Sequence, residues 1–178
     1  MARRALADER PDVVVDIIDA NALERNLYLA VQIMEMGLPL VLALNMMDEV
    51  SKKGVKINAD KLAQLLGAPV VKTIARTGGG LDQLLAAAVE TAEGRRGSPW
   101  RPLLISYGPD LDAALKDMTA KIEEGGFLTQ HYPARWSALK YLEAAAEIHT
   151  RGASADPALH EALLARTAES AAHLDATL

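Results

Sequence analysis

Asn45 and Asp48 are the side chains whose type and spacing most directly suggest recognition chemistry in this sequence. They follow Leu40-Val41-Leu42-Ala43-Leu44, an apolar run after Pro39 that reads as a strand buried on both faces, as in a parallel sheet. In an open α/β sheet, ligands bind beyond the carboxyl ends of the strands, so an N-x-x-D at that point faces a ligand. A carboxylate there can accept hydrogen bonds from the ring N–H and exocyclic amine of guanine. An Asn amide suits the N7/O6 edge of the same base. Adenine lacks that donor pair and would leave the carboxylate unpaired. The same two residues can also simply punctuate a strand-to-helix turn and cap the next helix. The elements around them decide between the two.

Those elements follow a repeated grammar. Val13-Val14-Val15-Asp16-Ile17-Ile18 is a first strand, over residues 13–18. Asn21-x-x-Glu24 then reads as a capping box before a helix carrying Leu23, Leu27, Ala30 and Met34 on one stripe, closed by Gly37 and Pro39. The second strand, 39–45, leads through a polar connection from Glu49 to Lys56 into a helix opened by Asn58. Its buried face would be Leu62, Leu65 and Leu66, with Gly67 and Pro69 closing it. A third strand over 69–75 meets Gly78-Gly79-Gly80, and the following helix places Leu81, Leu84, Leu85, Ala88 and Val89 inward. Strand–helix alternation with short connections predicts βαβ units and a three-stranded parallel sheet with helices on both faces.

Residues 1–10 read as a short helix or a loose lead-in. Gly, Arg, Ser and Pro crowd into 94–102, which places a domain boundary there and divides the chain into 1–94 and 95–178. After a short extended segment at 103–107 the pattern is helical. Pro109 suits the first turn of a helix bearing Leu111, Leu115, Met118 and Ile122 and ending at Gly125-Gly126. Pro133 opens another with Trp136, Leu139 and Leu142. Asp156-Pro157 starts a last helix through Leu159, Leu163 and His173. Three such helices should pack as a small helical subdomain.

Composition narrows the function classes. A net charge of −5 with no clustered basic stripe argues against a nucleic-acid surface. The absence of cysteine excludes disulfides and thiolate metal sites and fits a reducing compartment. No apolar run reaches the roughly 18 residues of a membrane span, and Met1-Ala2-Arg3-Arg4 lacks the apolar stretch of a signal peptide, so a soluble chain is expected. His131, His149, His160 and His173 do not pair with carboxylates at ligand spacing and read as surface or capping residues. Met34 reads as core, and Asp19 as turn chemistry.

Taken with this order of elements, Asp19-Ala20-Asn21-Ala22-Leu23-Glu24-Arg25-Asn26-Leu27-Tyr28-Leu29 and Asn45-Met46-Met47-Asp48 resemble the ferrous iron transport protein B (FeoB) family. Met46 stands where most GTPases carry Lys and FeoB relatives often carry Met. Tyr107-Gly108 and Arg135-Trp136-Ser137-Ala138-Leu139-Lys140-Tyr141-Leu142-Glu143 are similar to that family's helical domain. The resemblance implies part of a P-loop-GTPase-like G domain followed by a helical domain, in a protein that couples GTP binding to iron(II) transport. It also implies that Asn45 and Asp48 hold guanine and that Met46 packs beside base and ribose. Ile74 and Ala75 would belong to the loop closing over the base, with the Ala75 N–H reaching the guanine oxygen. Two departures stand out: Ile74 occupies the family's Ser position, and Ala144-Ala145 replaces a Gly-Asp.

A larger departure is that the sequence holds no G-x-x-x-x-G-K-S/T loop, Thr switch or Asp-x-x-Gly element. The expectation is a chain that begins just after the second switch region. It would bind GTP or GDP weakly or not at all by itself, bind no Mg²⁺ without the missing half, and hydrolyse nothing alone. The strand at 13–18 would then present an edge that self-associates, is covered by residues 1–10, or takes a separately supplied amino-terminal half. The resemblance places the chain in the cytoplasm, at the cytosolic face of the inner membrane within a full transporter. The alternative is a non-enzymatic protein-interaction module with a relict nucleotide site.

Overall fold

A computed structural model describes residues 6, 9–94, 104–130 and 132–177, with side chains to 173. The chain divides into two compact units, Met1–Leu104 and Ile105–Leu178.

The first unit is built on three parallel strands in sequential order, β1 (Val14–Asp19), β2 (Leu40–Asn45) and β3 (Val70–Lys72). The central strand is β2, and Leu40, Val41, Leu42, Ala43 and Leu44 are all buried. That is why it is apolar without alternation: both of its faces are covered. On one face Val41 and Ala43 pack with Leu84 of α4 (Leu81–Ala92). The opposite face belongs to α1 (Leu23–Glu35), whose Ala30, Ile33 and Met34 are buried and which lies against β1 and β2. Two short helices, α2 (Met47–Lys52) and α3 (Ala59–Leu66), join β2 to β3. Asn58 caps α3 by accepting the Lys61 N–H at 2.9 Å, and Gly67 ends it in the left-handed region at φ 64°.

Several expectations need correction. Asn21 and Glu24 do not form a capping box. Asp19 accepts the Asn21 N–H at 2.8 Å, which winds residues Ala20–Ala22 into a 3-10 turn and starts α1 at Leu23 with no side-chain cap. The stretch read as a polar connection contains α2, whose polar outer face hid its helical turn around the buried Val50. The third strand stops at Lys72, because the chain bends into a second 3-10 turn, Ala75–Thr77. Leu65 of α3 is exposed rather than buried. On α4 only Leu84 of the predicted inward leucines is buried, while Leu81, Leu85 and Val89 face outward. That helix meets β2 and β3 with its Leu84–Ala87 side, and no described residue covers its other apolar stripe.

The second unit is helical: α5 (Pro109–Gly125), α6 (Ala134–Leu142), α7 (Ala146–Ala155) and α8 (Pro157–Thr177). Leu115, Met118, Ile122, Tyr141, Ile148 and Leu163 form its interior. No strand forms over 104–107, and residue 103 and most of the expected boundary lie outside the described residues. Among the described residues there are four helices where three were expected, because Ala144 (φ 53°) turns the chain sharply between α6 and α7. His160 is not a surface residue: it is buried, with Nδ1 2.8 Å from the Tyr141 hydroxyl. His149 is half-buried with its ring 4.9 Å from that of Tyr141, and His131 lies outside the described residues. Gly152 is required there, since a Cβ would stand 2.0 Å from the Tyr141 oxygen.

Candidate functional site

The site lies at the carboxyl ends of β2 and β3. Asn45 is the last residue of β2, paired in register with Asp19 at the end of β1. Met46 takes the left-handed conformation, φ 62° and ψ 30°, so the chain turns from strand into α2 within one residue. For a non-glycine residue this conformation costs about 1–2 kcal/mol. The bend places Asp48 in the first turn of α2, close beyond the strand end that carries Asn45. Met46 itself is exposed and fills no core.

The loop after β3 comes up beside this bend. Thr73 is tied to β2 through its N–H, which donates to the Leu44 carbonyl at 2.8 Å, and through its hydroxyl at 3.3 Å. Ile74 donates its N–H to the Gly79 carbonyl at 2.9 Å, closing the loop on itself. Gly80 can only be glycine: with φ 83°, a Cβ would lie 2.2 Å from the Lys72 carbonyl oxygen. The loop is thereby pinned at its start and its end, and it presents Ala75 and Arg76 toward the strand ends.

Four of the five residues singled out from sequence make their contacts within this cluster. Asn45 Oδ1 accepts the Ala75 N–H at 3.0 Å. With its oxygen committed, Asn45 keeps its Nδ2 donors for a ligand acceptor, the polarity suited to a purine N7. The Ala75 N–H, expected to reach the guanine oxygen, here donates to Asn45 Oδ1. Ile74 turns inward over Gly79 and serves the loop's shape. A Ser there would add a hydroxyl that Ile lacks.

Asp48 has a partner that sequence reasoning missed. Arg76 Nη2 donates to Asp48 Oδ2 at 2.9 Å, and this bond holds the Asp48 carboxyl below its ordinary 3.8. A second network steadies the β1 side. Asp19 Oδ1 accepts both the N–H and Nδ2 of Asn21, and Lys53 Nζ donates to Asn21 Oδ1 at 2.7 Å. The Asn21 bonds, with a smaller contribution from Lys53, lower the Asp19 carboxyl too. The segment Asp19–Asn21 is thus turn chemistry that ties β1 to the helix carrying Asp48. On the other side of β1, Asp16 is buried with Oδ2 unpaired, and burial pushes its carboxyl up. Among the described residues no group of three or more His, Asp or Glu could hold a metal ion.

Comparison with known proteins finds relatives of both units. A family model described as ferrous iron transport protein B matches residues 1–88, and one described as the FeoB cytosolic helical domain matches residues 107–178. A protein of Porphyromonas gingivalis described as a fusion of Fe(2+) transport protein A with Fe(2+) transporter FeoB is 43% identical over 148 residues. The match covers 83% of this chain and 17% of that protein. The Fe(2+) transporter FeoB of Staphylococcus aureus is 35% identical over 132 residues, covering 72% of this chain and 19% of the transporter. This chain therefore spans less than a fifth of the curated relatives it matches. Among solved structures, an S. thermophilus NFeoB point mutant bound to GDP and AlF4− superposes with a TM-score of 0.85 at 30% identity, covering 98% of this chain and 64% of that one. The cytosolic domain of the T. maritima FeoB iron transporter in its GMPPNP form gives 0.76 at 29% identity, covering 95% and 69%.

Proposed function

Because the chain belongs to the ferrous iron transport protein B family, we propose that it supplies the guanine-recognition part of a G domain and the helical domain of an iron(II) transporter. In the longer protein, guanine-nucleotide binding is coupled to iron(II) transport from the cytosolic side of the membrane. The observation that carries this reading is the convergence of Asn45, Asp48 and the loop at 73–80 on the carboxyl ends of β2 and β3. A carboxylate and a free amide donor set at a strand end suit the two edges of guanine.

In this reading the chain alone selects the base and performs no phosphoryl transfer, since its sequence has no G-x-x-x-x-G-K-S/T loop and no Asp-x-x-Gly element for Mg²⁺. Calorimetry should give weak binding of GDP, weaker still of ADP, and no GTP hydrolysis above background. Asp48→Ala should abolish the binding. Asp48→Asn should shift preference from guanine toward xanthine, because the amide can donate to the carbonyl that replaces the exocyclic amine. Equal binding of GDP and ADP would overturn the guanine assignment. Micromolar or tighter GDP binding would overturn the claim that phosphate contacts are lacking.

A partner surface goes with this reading. Among the described residues β1 is paired on one side only, and Val15 and Ile17 stand exposed on the face that α4 covers elsewhere. Ile17 is 65% exposed and Leu85 of α4 equally so, which is unusual for apolar residues of a sheet and its packing helix. We assign this edge to a further strand from elsewhere in the longer transporter. Fast hydrogen exchange at Val15 and Ile17, whose N–H groups point away from β2, slowed when an amino-terminal G-domain segment is added, would support it. Concentration-dependent light scattering without that segment would point to self-association instead.

A further inference from the structure

The carboxylate assigned to guanine is not idle: Arg76 Nη2 reaches Asp48 Oδ2 at 2.9 Å. Chemically, a guanidinium is a close substitute for the base. Its parallel N–H donors resemble the ring N–H and exocyclic amine of guanine, and both donor sets seek the same two carboxylate oxygens. The backbone of Arg76 is fixed by its place in the Ala75–Thr77 turn, which the Asn45–Ala75 bond and the Ile74–Gly79 closure hold beside α2. Its side chain is 73% exposed and therefore has room to swing away, whereas Asp48 is only 22% exposed and stays where it is.

We propose that Arg76 is an affinity-setting residue that competes with guanine for Asp48, so that the base enters only as the guanidinium leaves. This inference rests on the reading of Asn45 and Asp48 as a guanine site. An exposed pair of this kind is weak, so the competition sets affinity and does not block the site. Its removal is expected to raise affinity about two- to five-fold.

Guanosine is the appropriate probe, because it carries no phosphate whose attraction to the arginine would mask the effect. The full chain is titrated with guanosine, following the amide resonances of Asp48 and of the loop at 73–80. Arg76→Ala, Arg76→Gln and Asp48→Ala are compared with the unaltered protein. Both Arg76 variants should bind about two- to five-fold more tightly, and raising the salt should narrow the gap by weakening the pair in the unaltered protein. Arg76→Gln keeps the length of the side chain and guards against a loop disturbed by the alanine. Equal or weaker binding by both variants, with binding still lost in Asp48→Ala, would overturn the competition and leave the guanine site standing. Absence of binding in the unaltered chain and in both Arg76 variants would overturn the guanine assignment and this inference together.

Discussion

The side-chain oxygen of Asn45 accepts the backbone N–H of Ala75 at 3.0 Å, joining the end of the second strand to a loop thirty residues further along the chain. Asn45 is therefore a structural anchor as well as a candidate ligand contact. Asn45→Ala should leave the Ala75 N–H unpaired and expose it to exchange. The loss is about 0.5–1.5 kcal/mol, the usual net worth of one such bond. Hydrogen exchange at Ala75 should accelerate while exchange at Leu42, in the centre of the sheet, stays slow. Unchanged protection at Ala75 would show that the loop is held by its other ties alone.

Acid should act on the same loop through Asp48. Its carboxyl lies below 3.8 in the folded chain because of the Arg76 bond. The contribution of the pair is thus fully present above the unfolded value and is lost as pH falls from 3.8 through the lowered folded value. The Asp48 carboxyl carbon, followed by NMR, should titrate below 3.8, and Arg76→Gln should move it upward. An Asp48 midpoint unaffected by Arg76→Gln would mean that the two side chains do not meet in solution.

The phenol of Tyr141 gives the opposite sign at the other end of the scale. Burial pushes it up to about 12 from 10.0. Stability is therefore kept below pH 10 and lost as the unfolded chain gains its charge between pH 10 and 12. Absorbance near the phenolate band should show an ionisation step near pH 12, and Tyr141→Phe should remove it. The same substitution leaves His160 Nδ1 without its buried partner, at a cost of about 1–3 kcal/mol. The absence of any step removed by Tyr141→Phe near pH 12 would contradict the buried hydroxyl.

The family's Gly-Asp, replaced here by Ala144-Ala145, has a conformational rationale. Ala144 sits at φ 53°, a position that favours glycine, and Ala145 is the N-cap of α7 with no side chain able to cap it. Ala144→Gly should relieve left-handed strain worth about 1–2 kcal/mol, partly offset by the greater freedom of glycine when unfolded. Ala145→Asp should add about 1 kcal/mol by accepting an N–H in the first turn of α7. Denaturant midpoints of the single and double variants test both. A lower midpoint for Ala144→Gly would mean that the turn differs from the one described.

What could be read from sequence was what one segment declares by itself. Leu40–Leu44 bounded by Pro39 and Asn45 announces a buried parallel strand, and Asn58, Gly67, Pro109 and Gly126 mark helix ends through local backbone chemistry. Readings failed where the deciding neighbour is remote. Leu81, Leu85 and Val89 share the spacing of a core stripe, and only the position of β2 under Leu84 shows which side faces in. The run Ala144-Ala145-Ala146 has the propensity of uninterrupted helix, and packing overrode it with a left-handed turn. At the site, Asn45 and Asp48 were visible as a pair. Arg76 was not, because a cation 28 residues away gives no sign of which carboxylate it will meet.

The sequential order of the three strands also bears on how this unit is assembled. Each strand pairs with its immediate successor, so partners such as Val14 with Leu40 and Leu42 with Val70 are separated by roughly thirty residues rather than by the whole chain. Within this unit β1 and α1 leave the ribosome before β2, which meets a waiting template, and β3 follows. No early strand has to wait for a distant late one, which shortens the time during which apolar β2 is in water. The outer side of β1 is the exception: among the described residues no later strand pairs with it.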